Sequence, residues 1–304
     1  MQRCHGFLNV DKPRGITSFE VVKRVRRFFP RQKVGHLGTL DPIAEGVLPL
    51  AVGGATRLIE FLMDVTKGYR AEMVLGGVSD TQDAWGNITV VADELSFSLS
   101  DIEKVLELFR GEILQVPPMY SAVNYRGRRL YELARQGVEV SLEARPVTVH
   151  LLQVVQAELT QPPYRVILDV VCSKGTYIRT LCHDIGQKLG CGAYLTKLVR
   201  VFSGPFSLEY AVKLAEVEER LAAGDCSLLL PLDFPLTSMP KVVLENENDV
   251  IRLKNGNNIS INAGLAAGPV LVYTLDRDLI AVGHLAETKG KGTVLKPVKV
   301  LGTQ

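Results

Sequence analysis

The sequence predicts an α+β protein that ends in a small β domain. Three features carry this reading. Strand-like runs at Gly6–Val10, Lys67–Leu75, Val147–Val155 and Tyr164–Cys172 alternate with helix-like runs that open on cap signals. Tyr164–Cys172 is apolar on both faces, which places it in the middle of a sheet. From about Met239 the pattern changes to short runs, among them Val270–Tyr273 and Ile280–Val282, separated by Gly- and Asn-rich turns at 254–258, 263–264 and 267–268. The 304 residues allow one large or two smaller domains, and 46% hydrophobic content is enough for a core.

The elements follow in chain order. Gly6–Val10 reads as a short buried strand and residues 11–15 as a turn. Thr17 with Glu20 forms a capping box for a helix whose inner face is Val21, Val22, Val25, Phe28 and Phe29, with Pro30 as its stop. Next comes Val34–Leu50, too rich in glycine for a helix and too ordered for a linker. Pro42 pushes Asp41 away from helical angles, so one carboxylate stands in a rigid loop with His36 five positions earlier. The apolar run Val47–Val52 anchors that loop. A single fixed carboxylate is how a nucleophile or general base is presented.

Ala55–Asp64 predicts a helix with Leu58, Ile59 and Leu62 inward, and Lys67–Leu75 a half-buried strand. Residues 79–87 form a polar loop. Ser100 with Glu103 predicts a second capping box, ahead of a face of Ile102, Val105, Leu106 and Phe109. Pro117 and Pro118 force extended backbone, and Arg126–Gly137 reads as a basic amphipathic helix. Ser173–Thr180 opens a helix that runs to about Leu189, and residues 190–200 lead into another strand. Ala211–Ala223 reads as an acidic, alanine-rich helix, followed at 231–236 by a linker or docking strand.

Composition narrows the function. Net charge is only +2, but Lys23, Arg24, Arg26, Arg27, Arg31 and Lys33 cluster, as do Arg126, Arg128, Arg129 and Arg135. Segregated charge of this kind gives a nearly neutral protein a basic face. Glu216, Glu218 and Glu219 form an acidic group elsewhere. No apolar run approaches the roughly 20 residues that span a bilayer, and Met1–His5 lacks a signal-peptide core, so a cytoplasmic protein is expected. Five cysteines without a Cys-x-x-Cys pair read as reduced thiols, mostly in cores, and no ligand spacing suggests a metal. With neither a P-loop nor a dinucleotide fingerprint, no cofactor is expected.

Three segments resemble the TruB family of tRNA pseudouridine synthases. They are G-H-L-G-T-L-D-P-I-A-E-G-V-L-P-L-A-V-G-G-A-T-R (35–57), K-P-R-G-I-T-S (12–18) and S-K-G-T-Y-I-R-T (173–180). The resemblance implies a mixed, mainly antiparallel central sheet with flanking helices. It implies a catalytic domain over 1–236 with an RNA-binding thumb at about 124–150, and a PUA-like RNA-binding domain over 239–304. It makes Asp41 the catalytic residue, pairs Arg179 with it, stacks Tyr69 on the target base, and places Tyr177 and Leu198 in the pocket. His36, Lys12, Asp83 and Lys174 become base-flipping or RNA-contacting residues. The chain departs from the family pattern at Ser79, Asn124, Tyr194 and Val199.

The implied reaction breaks the N1–C1′ bond of uridine, turns the uracil and rejoins it through C5. The expected substrate is the uridine at position 55 in the T loop of tRNA, flipped out of its stack. One carboxylate suffices, attacking C1′ or taking the C2′ proton. A forked guanidinium contact from Arg179 would keep Asp41 ionised and oriented. The partner is the tRNA T arm, with no membrane, no obligate protein partner and a monomeric enzyme expected. Two alternative readings are a non-catalytic RNA-binding or tRNA-folding factor, against which the complete Asp41, Tyr69 and Arg179 set argues, and an aspartyl-phosphate enzyme, whose usual paired aspartates and metal ligands the sequence lacks.

Overall fold

A computed structural model describes residues 4–92, 94–95, 98–138, 140–261, 264–288 and 292–301. Ala263, expected in a turn, and Glu139, in the expected thumb, lie outside the described residues. The first part contains β1 (Gly6–Lys12), α1 (Ser18–Arg26), β2 (Val34–His36), β3 (Ala44–Val52), a 3-10 helix (Gly53–Leu62) and β4 (Lys67–Leu75). Then come β5 (Gly77–Ser79), β6 (Ile88–Val90), α2 (Leu99–Glu107), β7 (Gly111–Gln115), β8 (Asn124–Tyr125), β9 (Arg128–Arg129) and α3 (Leu130–Ala134). The next group is β10 (Arg145–Glu158), β11 (Tyr164–Cys172), α4 (Ile178–Leu189), β12 (Ala193–Ser203), β13 (Phe206–Ser207), β14 (Val212–Lys213) and α5 (Leu214–Ala222). The C-terminal part holds β15 (Lys241–Leu244), α6 (Glu247–Lys254), β16 (Ile259–Ile261), β17 (Gly268–Thr274), β18 (Leu279–Thr288) and β19 (Gly292–Val300).

The main sheet runs β14-β1-β3-β12-β4-β11-β10-β7. Its neighbours are antiparallel except β1 with β14 and β12 with β3. The expected mixed, mainly antiparallel sheet is thus present. β3 shows why Val47–Val52 is apolar without alternation. Leu48, Leu50 and Val52 enter a core covered by α1, α2, α4 and α5, while Val47 and Ala51 enter a second core on the opposite face. That second core is shared with the C-terminal sheet: Phe7, Leu37 and Leu58 meet Leu271, Tyr273, Val282 and Leu301. Arg57 Nη1 also donates to the Val300 carbonyl at 2.6 Å, and Lys299 pairs with Glu60 at 2.8 Å.

Several expectations are corrected. The second capping box is Ser98 with Asp101, whose carboxylate accepts from the Ser98 N–H at 2.9 Å; Ser100 lies inside the helix. The helix expected at 126–137 is a hairpin, β8–β9, followed by the single short helix α3. Asn124 Oδ1 accepts from the Gly127 N–H at 2.9 Å and closes the hairpin turn, an asparagine-specific device that lysine cannot supply. The helix expected at 55–64 is a 3-10 helix over Gly53–Leu62, and α5 starts at Leu214, not Ala211. The C-terminal part is not all β: α6 covers one end of the five-stranded sheet, and β15 pairs with β17 in parallel. Part of the charge segregation is internal, because Arg24 on α1 forms a close ion pair with Glu218 on α5. Cys172, Cys182 and Cys191 are buried, but Cys4 and Cys226 are only half-buried, with sulfurs 2.7 Å apart.

Candidate active site

The loop between β2 and β3 carries Asp41, and its backbone is tied down along its length. The Leu37 N–H donates to the Pro49 carbonyl at 3.0 Å. The carbonyls of Gly38 and Thr39 accept from Arg200 at 3.2 and 3.4 Å. Ser18 Oγ donates to the Leu40 carbonyl and accepts from the Leu40 N–H, at 3.0 and 2.8 Å. The Asp41 carbonyl accepts from Ala44 and the Pro42 carbonyl from Gly15, at 3.0 and 2.8 Å. The loop is irregular yet fixed, as the Asp-Pro and glycine content requires. Gly46, just beyond it, has φ +94°, and a Cβ there would stand 2.4 Å from the Arg200 carbonyl. Only glycine lets β3 and β12 approach this closely.

Arg179 meets Asp41 from the first turn of α4. Its Nε donates to Asp41 Oδ2 at 2.8 Å, Nη1 to the Thr81 carbonyl at 3.0 Å and Nη2 to the Tyr120 carbonyl at 2.8 Å. The Arg179 side chain is 4% exposed and that of Asp41 33%. The expected forked contact is therefore absent: one N–H reaches the carboxylate and two others hold neighbouring loops. Among the described residues Oδ1 has no hydrogen-bond partner. Tyr177 caps α4. Its backbone N–H donates to Gln115 Oε1 at 2.7 Å, and its carbonyl accepts from Gln115 Nε2 at 3.0 Å. Gln115, at the end of β7, thus fixes the helix start that aims Arg179.

The β5–β6 loop closes one wall. Asp83 is buried, with Oδ1 accepting from Thr81 Oγ1 at 2.8 Å and from the Trp85 N–H at 3.0 Å, and Oδ2 lying 3.8 Å from Arg179 Nη1. It shapes the loop behind Arg179. Lys12 is fully buried, donating to the Pro13 and Ile16 carbonyls at 2.9 and 2.8 Å, and burial lowers its pKa to about 8. Lys174 is exposed and forms a close ion pair with Asp64.

Tyr69 on β4 is buried and faces Arg200 across the β4–β12 ladder. Burial raises its phenol pKa, while the Arg200 charge and a hydrogen bond to Arg200 act the other way. Burial likewise raises the Tyr177 phenol. Leu198 is buried two residues before Arg200, paired with Ala44 at the end of the Asp41 loop. His36 ends β2, and its Nδ1 accepts from the Gly38 N–H at 3.3 Å. Burial, then the Arg200 charge, hold its pKa below the usual value, so the ring is neutral at pH 7.

Asp41 thus has Arg179, Tyr69, Tyr177 and Lys12 within electrostatic reach, and Asp83 lies behind Arg179. Leu198 pairs with Ala44 at the end of the Asp41 loop, His36 stands near Arg200, and Lys174 is exposed beside Asp64. Arg200 and Gln115 were missed, because neither the single arginine on an apolar strand nor the glutamine before Val116-Pro117 carries a local signal. Tyr194 packs its ring against Gly77, and Val199 pairs with Arg70 and Glu45 in the ladder, so both departures sit in sheet structure. Among the described residues no His, Cys, Asp and Glu side chains group as a metal site.

This geometry has close relatives. Residues 26–178 match the N-terminal domain model of the TruB family pseudouridylate synthases, and residues 179–237 match the tRNA pseudouridylate synthase B C-terminal domain. The chain is 50% identical over 300 residues to the tRNA pseudouridine synthase B of Syntrophomonas wolfei, covering 97% of this chain and 98% of that one. It is 51% identical over 297 residues to the protein of the same name from Heliobacterium modesticaldum, covering 97% and 95%. Among solved structures, a chain of a Cbf5-Nop10-Gar1 complex superposes with TM-score 0.71 at 30% identity, covering 98% of this chain and 85% of that one. An H/ACA RNP bound to a substrate RNA containing 2′-deoxyuridine gives TM-score 0.71 at 28% identity, with the same coverage. The chain belongs to the TruB family of pseudouridylate synthases.

Proposed function

We propose that the protein isomerises uridine to pseudouridine in tRNA, at position 55 of the T loop, with Asp41 as the catalytic residue. The carrying observation is the fixed loop that presents Asp41, one oxygen held by buried Arg179 and the other left to the substrate. Asp83 is the nearest other carboxylate to Arg179, and its hydrogen bonds to Thr81 and Trp85 remove it from acid–base pairing across a glycosidic bond. Asp41 acts at the ribose, at C1′ as nucleophile or at C2′ as base. After the N1–C1′ bond breaks and the C5–C1′ bond forms, C5 loses its proton and N1 gains one, so the reaction needs neither redox partner nor energy input.

Tyr69 stacks on the flipped uracil, Leu198 and Ile178 keep the pocket wall apolar, and neutral His36 fills the space the base leaves. The C-terminal sheet, within 239–304, acts as a PUA-like RNA-binding module, and residues 124–150 act as a thumb. The enzyme works as a cytoplasmic monomer on the T arm. No helix among the described residues is long and apolar enough to cross a membrane.

Chemical mapping of pseudouridine in a tRNA transcript tests this reading. Wild type is expected to modify the T-loop uridine, and Asp41→Asn to bind the tRNA and leave it unmodified. A wild type that binds and never modifies indicates a tRNA-folding factor. Near-normal turnover in Asp41→Asn removes Asp41 from the mechanism.

A further inference from the structure

Arg200 is the largest fully buried side chain among the described residues. Its acceptors are neutral. Nε donates to the Val47 carbonyl at 2.6 Å, Nη1 to the Thr39 carbonyl at 3.4 Å and Nη2 to the Gly38 carbonyl at 3.2 Å, and Tyr69 is its neighbour across the β4–β12 ladder. Burying a guanidinium against neutral dipoles is expensive. An apolar residue of similar length would fill this strand position more cheaply. The charge also sits badly with its surroundings, since it helps push down the pKa of Lys12, Lys67 and His36. What the arginine provides is geometry.

We infer that Arg200 is a positioning residue that sets where the Asp41 carboxylate stands relative to the Tyr69 ring. One planar group grips the Asp41 loop on both sides, at Gly38 and Thr39 before it and at Val47 after it, on a strand residue paired directly with Tyr69. Strand register supports this: Arg200 lies opposite Tyr69 on β4 and opposite Gly46 on β3. The fork is rigid, so the loop and the ring move together or not at all. Lysine reaches one of these acceptors and leaves the others unpaired. The inference rests on the reading of Asp41 as catalytic.

Single-turnover kinetics on a T-arm stem-loop, with enzyme in excess, separate positioning from fold support. For Arg200→Lys and Arg200→Met the rate constant is expected to fall about 10²-fold, with full amplitude and RNA affinity within about threefold of wild type. A purely structural role lowers the folded fraction, read by circular dichroism, and leaves the rate constant at saturating enzyme at the wild-type value, and that result overturns the inference. Gly38→Ala provides a second route should both arginine variants misfold. It strains φ +139° and shifts the Gly38 carbonyl while keeping the arginine, and its new Cβ makes only ordinary contacts, with Lys67 Cε at 3.6 Å and Arg200 Nη1 at 3.7 Å. It is expected to show the same rate loss, and a wild-type rate counts against the inference. Asp41→Asn runs in parallel. If it turns over normally, the catalytic reading fails; if it is inactive while Arg200→Lys reacts at the wild-type rate, only the positioning inference fails.

Discussion

Arg179 touches Asp41 through one N–H, Nε to Oδ2 at 2.8 Å, and gives its two Nη groups to the carbonyls of Thr81 and Tyr120. The guanidinium is thus a three-way joint between the Asp41 loop, the β5–β6 loop and the extended segment after β7. Its planar shape orients the Asp41 carboxylate and ties the three segments together.

Arg179→Lys separates shape from charge. Lysine keeps the charge but cannot satisfy all three acceptors. Turnover is expected to drop about 10²-fold through misplacement of the carboxylate. Because Arg179 is buried and points at protein groups, tRNA affinity and the salt slope of binding stay near wild type. A normal turnover with a slope reduced by about one unit would assign Arg179 to the RNA backbone instead.

Gln115→Ala tests the helix start. Gln115 is 2% exposed and is the partner of both the N–H and the carbonyl of Tyr177. Its loss leaves a buried N–H unpaired, at a cost of about 2 kcal/mol in stability. Arg179 lies two residues further on, so turnover is expected to fall about tenfold through loosened geometry. Denaturant unfolding and single-turnover rates check the two effects separately. A stability loss with an unchanged rate would show that α4 holds its aim without the clamp.

The sheet, the helices α1 and α4 and the rigid loop that carries Asp41 were legible because local signals and tertiary need coincide there. Thr17 caps α1 by accepting from the Glu20 N–H, and Tyr164–Cys172 forms a central strand with the expected limits. The legible part of the site was the part carried on motifs: Asp41, Arg179, Tyr69. What escaped depends on long-range partners. Arg200 earns its place through carbonyls about 160 residues away, at Gly38 and Thr39. The burial of Lys12 is not legible from its turn-residue neighbours, since it comes from β1 pairing that sets it opposite Gly46. The helix expected at 126–137 failed on a side-chain-to-backbone bond, Asn124 to Gly127, that outcompetes helical winding.

Lys12 gives a pH signature. The unfolded chain holds this proton up to about its ordinary pKa of 10.5, whereas burial makes the folded protein release it near 8. Between these values the unfolded state binds more protons, so stability rises with pH. The contribution amounts to on the order of 3 kcal/mol across the window. Lys67, also lowered by burial, acts in the same direction. Urea unfolding of wild type and Lys12→Met from pH 7.5 to 10 is expected to show wild type gaining on the variant as pH rises. Parallel curves would mean that Lys12 keeps its proton in the folded protein.

Removing residues 239–304 tests whether the C-terminal sheet only adds RNA affinity. The catalytic motifs all precede it, so a folded remnant is expected to modify a T-arm stem-loop slowly and to bind whole tRNA weakly. The packing adds a second expectation. Deletion strips Leu271, Tyr273, Leu279, Val282 and Leu301 from a core that also holds Phe7, Leu37, Val47, Ala51 and Leu58. Leu37 directly follows His36 in the catalytic loop, so the uncovered face reaches the site. Each such side chain gains about 1.5–3 kcal/mol from full burial. Even a net loss of ~4 kcal/mol lowers Tm by about 10 °C at this size. Leu271→Asp in the full chain is the control: it damages the shared core and keeps the RNA-facing surface. It is expected to reproduce the fall in Tm while retaining tRNA affinity, whereas the deletion loses both. A deletion variant as stable as wild type would show that the two parts fold independently, and a folded deletion variant with no activity on the stem-loop would place part of the chemistry beyond residue 238.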